Sequence, residues 1–74
     1  MTPDQCRAAR GLLDWSQDRL ATEAKASNST VRNFEKGRSV PGPIFLQSMK
    51  SALEAAGIQF IPANGGGPGV RLKG

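Results

Sequence analysis

The sequence predicts a mainly α fold, in which four short helices are followed by a C-terminal β-hairpin. Three observations support this prediction: apolar residues recur at helical spacing, helix-start and helix-stop residues bound these segments, and the composition becomes strand-like near residue 58. A chain of 74 residues supports one small core and is marginal in size, so a partner subunit would add stability. We divide it into a helical domain, residues 1–57, and a hairpin tail, residues 58–74, expected to serve dimerisation or partner contact.

The first helix is predicted to run from Pro3 to about Leu13. Thr2 is a suitable N-cap, proline suits the first helical position, and Gln5 stands where a capping box has Glu or Gln. An apolar stripe at helical spacing contains Cys6, Ala9, Leu12 and Leu13. Arg10 lies on or beside this stripe and therefore needs a partner if it is buried.

The segment from Ser16 to Gly37 contains two short helical patterns separated by about three residues. Ser16 caps the second helix, whose inner face is Leu20, Ala21 and Ala24. The turn is Lys25-Ala26, and Gly37 ends the third helix. This arrangement is the sequence form of a helix-turn-helix, whose second helix enters the DNA major groove.

The third helix, from about Ser27 to Lys36, has a narrow apolar edge and a broad polar surface. Val31 and Phe34, three residues apart, are predicted to face inward, and most of the other side chains are polar. Such a surface packs poorly but is suited to reading the edges of bases. The sequence therefore indicates a recognition helix.

The remaining elements are a fourth helix and the hairpin. Prolines and a glycine separate the third helix from the fourth, which we expect from Pro43 to Ala56. Its predicted apolar face is Ile44, Leu46, Met49, Leu53 and Ala56. Strand-like residues, Ile58–Ile61 and Val70–Lys73, flank a stretch rich in turn formers. Because an isolated hairpin is marginal in water, it should pack on the helices or pair with a second subunit.

The charge is concentrated in one segment. Five of the ten basic residues and one of the six acidic residues lie between Lys25 and Lys50, so this segment carries the entire net charge of +4. The rest of the chain is neutral. A neutral body with one basic segment indicates contact with a polyanion more than general solubility.

The residue inventory argues against an enzyme. The chain has no histidine, one cysteine (Cys6) and no paired acids, so general acid-base chemistry and metal ligation lack residues, and no cofactor is expected. No apolar run approaches the roughly 20 residues of a membrane span, and no secretion signal is recognisable. We expect no membrane association and a cytoplasmic location.

The helical part of the chain resembles the phage repressor and Cro family of helix-turn-helix transcriptional regulators, also called the XRE class. The matching pieces are Arg10-Gly11-Leu12, Ser16-Gln17, Leu20-Ala21, Ser27, Thr30-Val31, Phe34-Glu35-Lys36-Gly37-Arg38 and Pro41. With the fourth helix, the resemblance covers roughly residues 5 to 56. It implies a four-helix repressor-like fold and a bacterial, nucleoid-associated regulator.

The resemblance assigns roles to individual residues. Base reading in the major groove falls to Asn28, Ser29, Arg32 and Asn33. Arginine can grip guanine, asparagine can pair with adenine, and serine is adaptable. DNA backbone contacts fall to Gln17, Ser27, Lys36 and Arg38, which fix the register without reading sequence. Arg10 and Glu35 match a buried ion pair that joins the first helix to the end of the third.

One position departs from the family pattern. The family usually has glycine in the turn between the second and third helices, where a left-handed backbone is needed, and this chain has Lys25. Lysine in that conformation costs roughly 1 kcal/mol. Either the turn differs slightly or the chain tolerates the strain.

The sequence is compatible with two functions. The first is a sequence-specific DNA-binding regulator that binds double-stranded DNA as a homodimer on two half-sites. The alternative is an antitoxin or accessory protein-binding module, in which the hairpin Ile58–Lys73 captures a second protein through strand pairing.

Overall fold

The structure is a computed structural model that describes residues 1–73. Its elements are α1 (Pro3–Leu13), α2 (Gln17–Ala24), α3 (Asn28–Glu35), α4 (Pro43–Ala55), β1 (Ile58–Ile61) and β2 (Gly69–Leu72). The predicted fold class, four helices followed by a C-terminal hairpin, is confirmed within these residues. The second strand begins and ends one residue earlier than predicted. Gly74, the last residue of the predicted tail, lies outside the described residues.

Side-chain caps explain where the first three helices begin. At α1 the Thr2 hydroxyl accepts from the Gln5 N–H (3.1 Å), and the Gln5 side chain accepts from the Thr2 N–H (2.9 Å), which completes the capping box. Ser16 accepts from the Arg19 N–H at α2, and Ser27 accepts from the Thr30 N–H at α3. These bonds satisfy N–H groups that the helices leave unpaired.

The core lies between the helices and the hairpin: α2 packs against α3 and α4, and α1 packs against α3, α4 and β2. It consists of Cys6, Ala9, Leu20, Ala21, Ala24, Val31, Phe34, Met49, Leu53 and Ile58. The alanines on α2 leave room for the neighbouring helix to approach closely. This packing holds α2 and α3 in a fixed relative orientation.

Two predicted core residues face solvent instead. Leu12 is 45 % exposed, because the inner face of α1 is narrower than the sequence stripe and ends at Ala9 and Leu13. Ile44 is 80 % exposed, because it lies in the first turn of α4, beyond the part of that helix that covers the core. Both assignments were wrong.

The hairpin packs on the helices of its own chain. β1 and β2 are antiparallel, with Ile58 opposite Leu72 and Phe60 opposite Val70. Ile58 is fully buried, and Phe60 and Val70 pack against the core. The Gln5 side chain also donates to the Gly69 carbonyl, at 3.0 Å, which ties α1 to the hairpin.

The turn between α2 and α3 keeps the left-handed geometry. Lys25 has φ 55° and ψ 39°, which is the conformation that glycine adopts most easily. Of the two alternatives raised by the sequence, the structure therefore selects strain at Lys25 over an altered turn. Hydrogen bonds from the Lys25 N–H to Thr22 and from the Ala26 N–H to Ala21 hold the turn in place.

Candidate nucleic-acid interface

Helix α3 is anchored along one edge and open along the other. Val31 and Phe34 are buried on the edge that packs against α1 and α2. The opposite side, which we call the outer face of α3, consists of Asn28, Ser29, Arg32 and Asn33. Ser29 and Arg32 are exposed, and the two asparagines are half-buried. The structure therefore places all four predicted base readers on one accessible helix face.

Arg32 and Asn28, both on the outer face, differ in their contacts. The Arg32 guanidinium makes no hydrogen bond or ion pair with the residues that the structure describes, so its donors are available. The Asn28 amide nitrogen, in contrast, donates to the carboxylate of Asp18 on α2. Asn28 is therefore held by the protein before any base is present.

The four predicted DNA backbone residues lie in two groups. Lys36 and Arg38 follow the C-terminal end of α3 and are exposed. Gln17 and Ser27 lie at the starts of α2 and α3, where they already make internal hydrogen bonds. The Gln17 amide donates to Glu35 Oε1 at 3.0 Å, and the Ser27 hydroxyl pairs with the Thr30 hydroxyl at 2.8 Å. These residues therefore lie at the starts of α2 and α3 and beyond the end of α3, and Gln17 reaches the end of α3 through its bond to Glu35.

A buried carboxylate joins α1, α2 and α3. Arg10 grips Glu35 with two nitrogens, Nε to Oε2 and Nη2 to Oε1, both at 2.7 Å. The same carboxylate also accepts hydrogen bonds from the Gln17 amide and from the Cys6 thiol, whose Sγ lies 3.1 Å from Oε2. Arg7 donates to the main-chain carbonyl of Glu35. Glu35 is only 2 % exposed, yet every lone-pair direction has a donor.

This network sets the charge states of its members. Burial works against a charged Glu35, but the hydrogen bonds from Arg10, Gln17 and Cys6 outweigh it and hold the pKa of the carboxyl below its usual value. The same hydrogen bond with Glu35 raises the pKa of Arg10. Burial, followed by the bond to Glu35, raises the pKa of the Cys6 thiol far above its usual value. Cys6 is therefore a protonated donor and not a reactive thiolate.

Sequence reasoning missed three residues that take part in these contacts. Cys6 was assigned only to the core, and Arg7 and Asp18 were given no role. The only sequence signal for Cys6 was its position four residues before Arg10, on the same face of α1. Nothing in the sequence pointed to the Asp18–Asn28 contact, because that contact crosses from one helix to another.

Within residues 1–73, no three or more Cys, Asp or Glu side chains are grouped so that they could hold a metal ion. None of the described helices combines the length and the apolar character required to cross a membrane.

A short helix pair with a fixed crossing, an anchored second helix and an open polar face defines a helix-turn-helix DNA-binding domain. The helix-turn-helix family model matches residues 7–58, which is more than half of the chain, and the chain therefore belongs to this Cro/XRE-like family of DNA-binding regulators. The resemblance predicted from the sequence is confirmed. A comparison with curated proteins gave no significant match.

Proposed function

We propose that this chain is a sequence-specific transcriptional regulator that binds double-stranded DNA as a homodimer, with α3 in the major groove. The observation that supports it most is the accessibility of the outer face of α3, whose opposite edge is anchored by Val31 and Phe34. A rigidly held helix can present side chains to base edges without first having to fold. The basic segment from Lys25 to Lys50 supplies the attraction to phosphates.

Base reading is assigned to the outer face of α3. Arg32, exposed and without an internal partner among residues 1–73, can donate two hydrogen bonds to guanine O6 and N7. Asn28 and Asn33 can pair with adenine, and Ser29 can adapt to several bases. Arg32 is therefore the residue on which the base preference depends most strongly.

Backbone contacts are assigned to both ends of the helix pair. Lys36 and Arg38, exposed beyond the end of α3, are placed to neutralise phosphates. Gln17 and Ser27 begin α2 and α3, where unpaired backbone N–H groups also favour an anion. Gln17 donates one N–H to Glu35, and its amide carries a second that can face a phosphate.

A homodimer is proposed because one helix reads too few base pairs. A monomer that contacts about four base pairs would discriminate poorly among the many competing sites of a genome. Exposed apolar side chains just before and at the start of α4 support contact with another chain: Val40 is 75 % exposed, Ile44 80 % and Phe45 49 %. We expect such a regulator to act in the bacterial cytoplasm, at the nucleoid, because its DNA target lies there.

The second candidate, an antitoxin or accessory module that captures a protein through its hairpin, has weaker support. Ile58, Phe60 and Val70 were candidates for the contact with a partner, but they pack against the core of their own chain. Leu72 remains about half exposed, and the outer edges of a two-stranded hairpin can still pair with a strand. Co-purification with a second protein would favour this function.

Selection of bound duplexes from a random pool tests the proposal directly. We expect enrichment of an inverted repeat whose half-sites share one short motif. Arg32→Ala should weaken the motif, and Arg71→Ala is a matched control because Arg71 lies on β2 and bonds to Gln59 at 2.8 Å. A wild-type protein that enriches no sequence would disprove sequence-specific binding. Enrichment of single, unpaired motifs would disprove the dimer but not the recognition helix.

A further inference from the structure

A polar contact at the edge of the interface joins α2 to α3. Asp18 lies in the first turn of α2, and Asn28 is the first residue of α3. The Asn28 amide nitrogen donates to Asp18 Oδ1, so the contact bridges the starts of the two helices. Asp18 is exposed and Asn28 is half-buried, on the side that would face DNA.

The chemistry of the pair fixes the orientation of the amide. An ionised carboxylate only accepts hydrogen bonds, whereas an asparagine amide has one accepting end and one donating end. Asn28 must therefore turn its NH₂ group towards Asp18, and turning the amide over would place two oxygens against each other. Asn28 keeps its Oδ1 and one remaining N–H for another partner.

That orientation selects among purines. Adenine presents an N6–H₂ donor beside the N7 acceptor, which matches one oxygen and one N–H. Guanine presents two acceptors, O6 and N7, so a fixed amide would bring its oxygen against O6. A freely turning asparagine could offer its NH₂ group to guanine instead.

We propose that Asp18 is a positioning residue that makes Asn28 discriminate adenine from guanine. This inference rests on the proposed function, because it requires α3 to lie in the major groove. The same carboxylate lowers affinity for every duplex, since it brings a negative charge close to phosphates. Its location in the first turn of α2 stabilises the folded protein, because the start of a helix favours negative charge.

The proposal therefore predicts opposite effects on affinity and on selectivity. In Asp18→Asn, affinity for random duplex should rise, while the preference for adenine over guanine at the base facing Asn28 should fall about tenfold. Glu23→Gln is the matched control. It removes the same charge from α2, but Glu23 pairs with Arg19 of its own helix, at 3.7 Å. It should leave the base preference unchanged.

A double-mutant cycle identifies the residue through which Asp18 acts. In an Asn28→Ala background, Asp18→Asn should no longer change the base preference, because no amide remains to be oriented. In the free protein, the NMR signals of the Asn28 side-chain amide should move in Asp18→Asn and stay in place in Glu23→Gln. This measurement needs no DNA and is insensitive to general changes in stability.

The outcomes distinguish a failure of the positioning role of Asp18 from a failure of the proposed function. If wild type is selective and Asp18→Asn has the same base preference as Glu23→Gln, the positioning role is wrong and the proposed function stands. Amide signals that do not respond to Asp18→Asn would also overturn the positioning role. A wild-type protein that selects no sequence would refute the proposed function, and the positioning role with it.

Discussion

The Glu35 side chain is an acid placed inside a small core and kept ionised there. A buried carboxylate is tolerated when its acceptor sites are filled, and Arg10, Gln17 and Cys6 fill them. Arg10→Ala would leave that charge without its cation, so we expect the free energy of unfolding to fall by about 3 to 5 kcal/mol. Glu23→Gln, which breaks only an exposed pair, should change it by less than about 1 kcal/mol. Urea unfolding at pH 7 measures both, and equal effects would contradict the buried-charge explanation.

The lowered pKa of Glu35 makes stability depend on pH in a defined direction. Because the folded pKa lies below the unfolded value of about 4.3, the stabilisation from this group is fully present above that value. It is lost as the pH falls towards and through the folded pKa. Unfolding free energies measured from pH 7 to pH 3 should therefore decline less steeply in Glu35→Gln than in wild type. Parallel curves across the acid range would show that Glu35 is not the group responsible.

Arg32 and Arg38 are expected to contribute to DNA binding in different ways. Arg32→Ala should relax the base preference, because the arginine is proposed to contact the edge of a base. The expected loss is roughly 1 to 3 kcal/mol of discrimination at one base position. Arg38→Ala should weaken binding to all sequences and reduce the salt slope by about one. Titrations of both variants with specific and random duplexes at several salt concentrations measure the two effects. A sequence-selective and salt-insensitive effect of Arg38→Ala would reject this division.

At the scale of the element, the α2–α3 turn combines a required geometry with an unfavourable residue. Lys25 closes α2 with a left-handed backbone that glycine adopts without strain. Lys25→Gly should therefore stabilise the fold by about 1 kcal/mol, whereas Lys25→Ala should bring no such gain because alanine keeps the strain. Thermal and urea unfolding test both variants. Equal stability of the glycine and alanine variants would show that the backbone angle is not a source of strain.

Helix α3 shows how packing and recognition divide one short element. Its buried edge holds two large apolar residues, Val31 and Phe34, and the buried Glu35 at its end. All of its base-reading candidates occupy the remaining surface. The anchor and the reading face are therefore separable, and substitutions on the outer face should alter binding more than folding.

At the scale of the whole molecule, the decisive prediction concerns symmetry. A dimer related by a two-fold axis should bind two half-sites whose centres lie about 34 to 36 Å apart, or a multiple of that distance. Inserting five base pairs between the half-sites rotates one by about half a turn and should abolish simultaneous binding, whereas inserting ten should largely restore it. Gel-shift titrations on such duplexes measure this. Equal affinity for all spacings would indicate independent monomers.

The elements of this protein were largely readable from the sequence because they depend on near neighbours. Thr2, Ser16 and Ser27 cap helices within three residues of themselves, and Val31 and Phe34 define an inner edge by spacing alone. The outer face of α3 was predicted from the same spacing. The roles of its residues in DNA binding stay predictions.

What the sequence alone determined was the order of the elements, their bounds to within about a residue, and the family. Only the tertiary structure decided that Leu12 and Ile44 are exposed, that Glu35 collects donors from two other helices, and that Asp18 holds Asn28. The physical reason is how far apart along the chain the interacting residues lie. Caps and helical periodicity depend on residues a few positions apart, whereas burial and hydrogen bonds between helices depend on how distant segments pack.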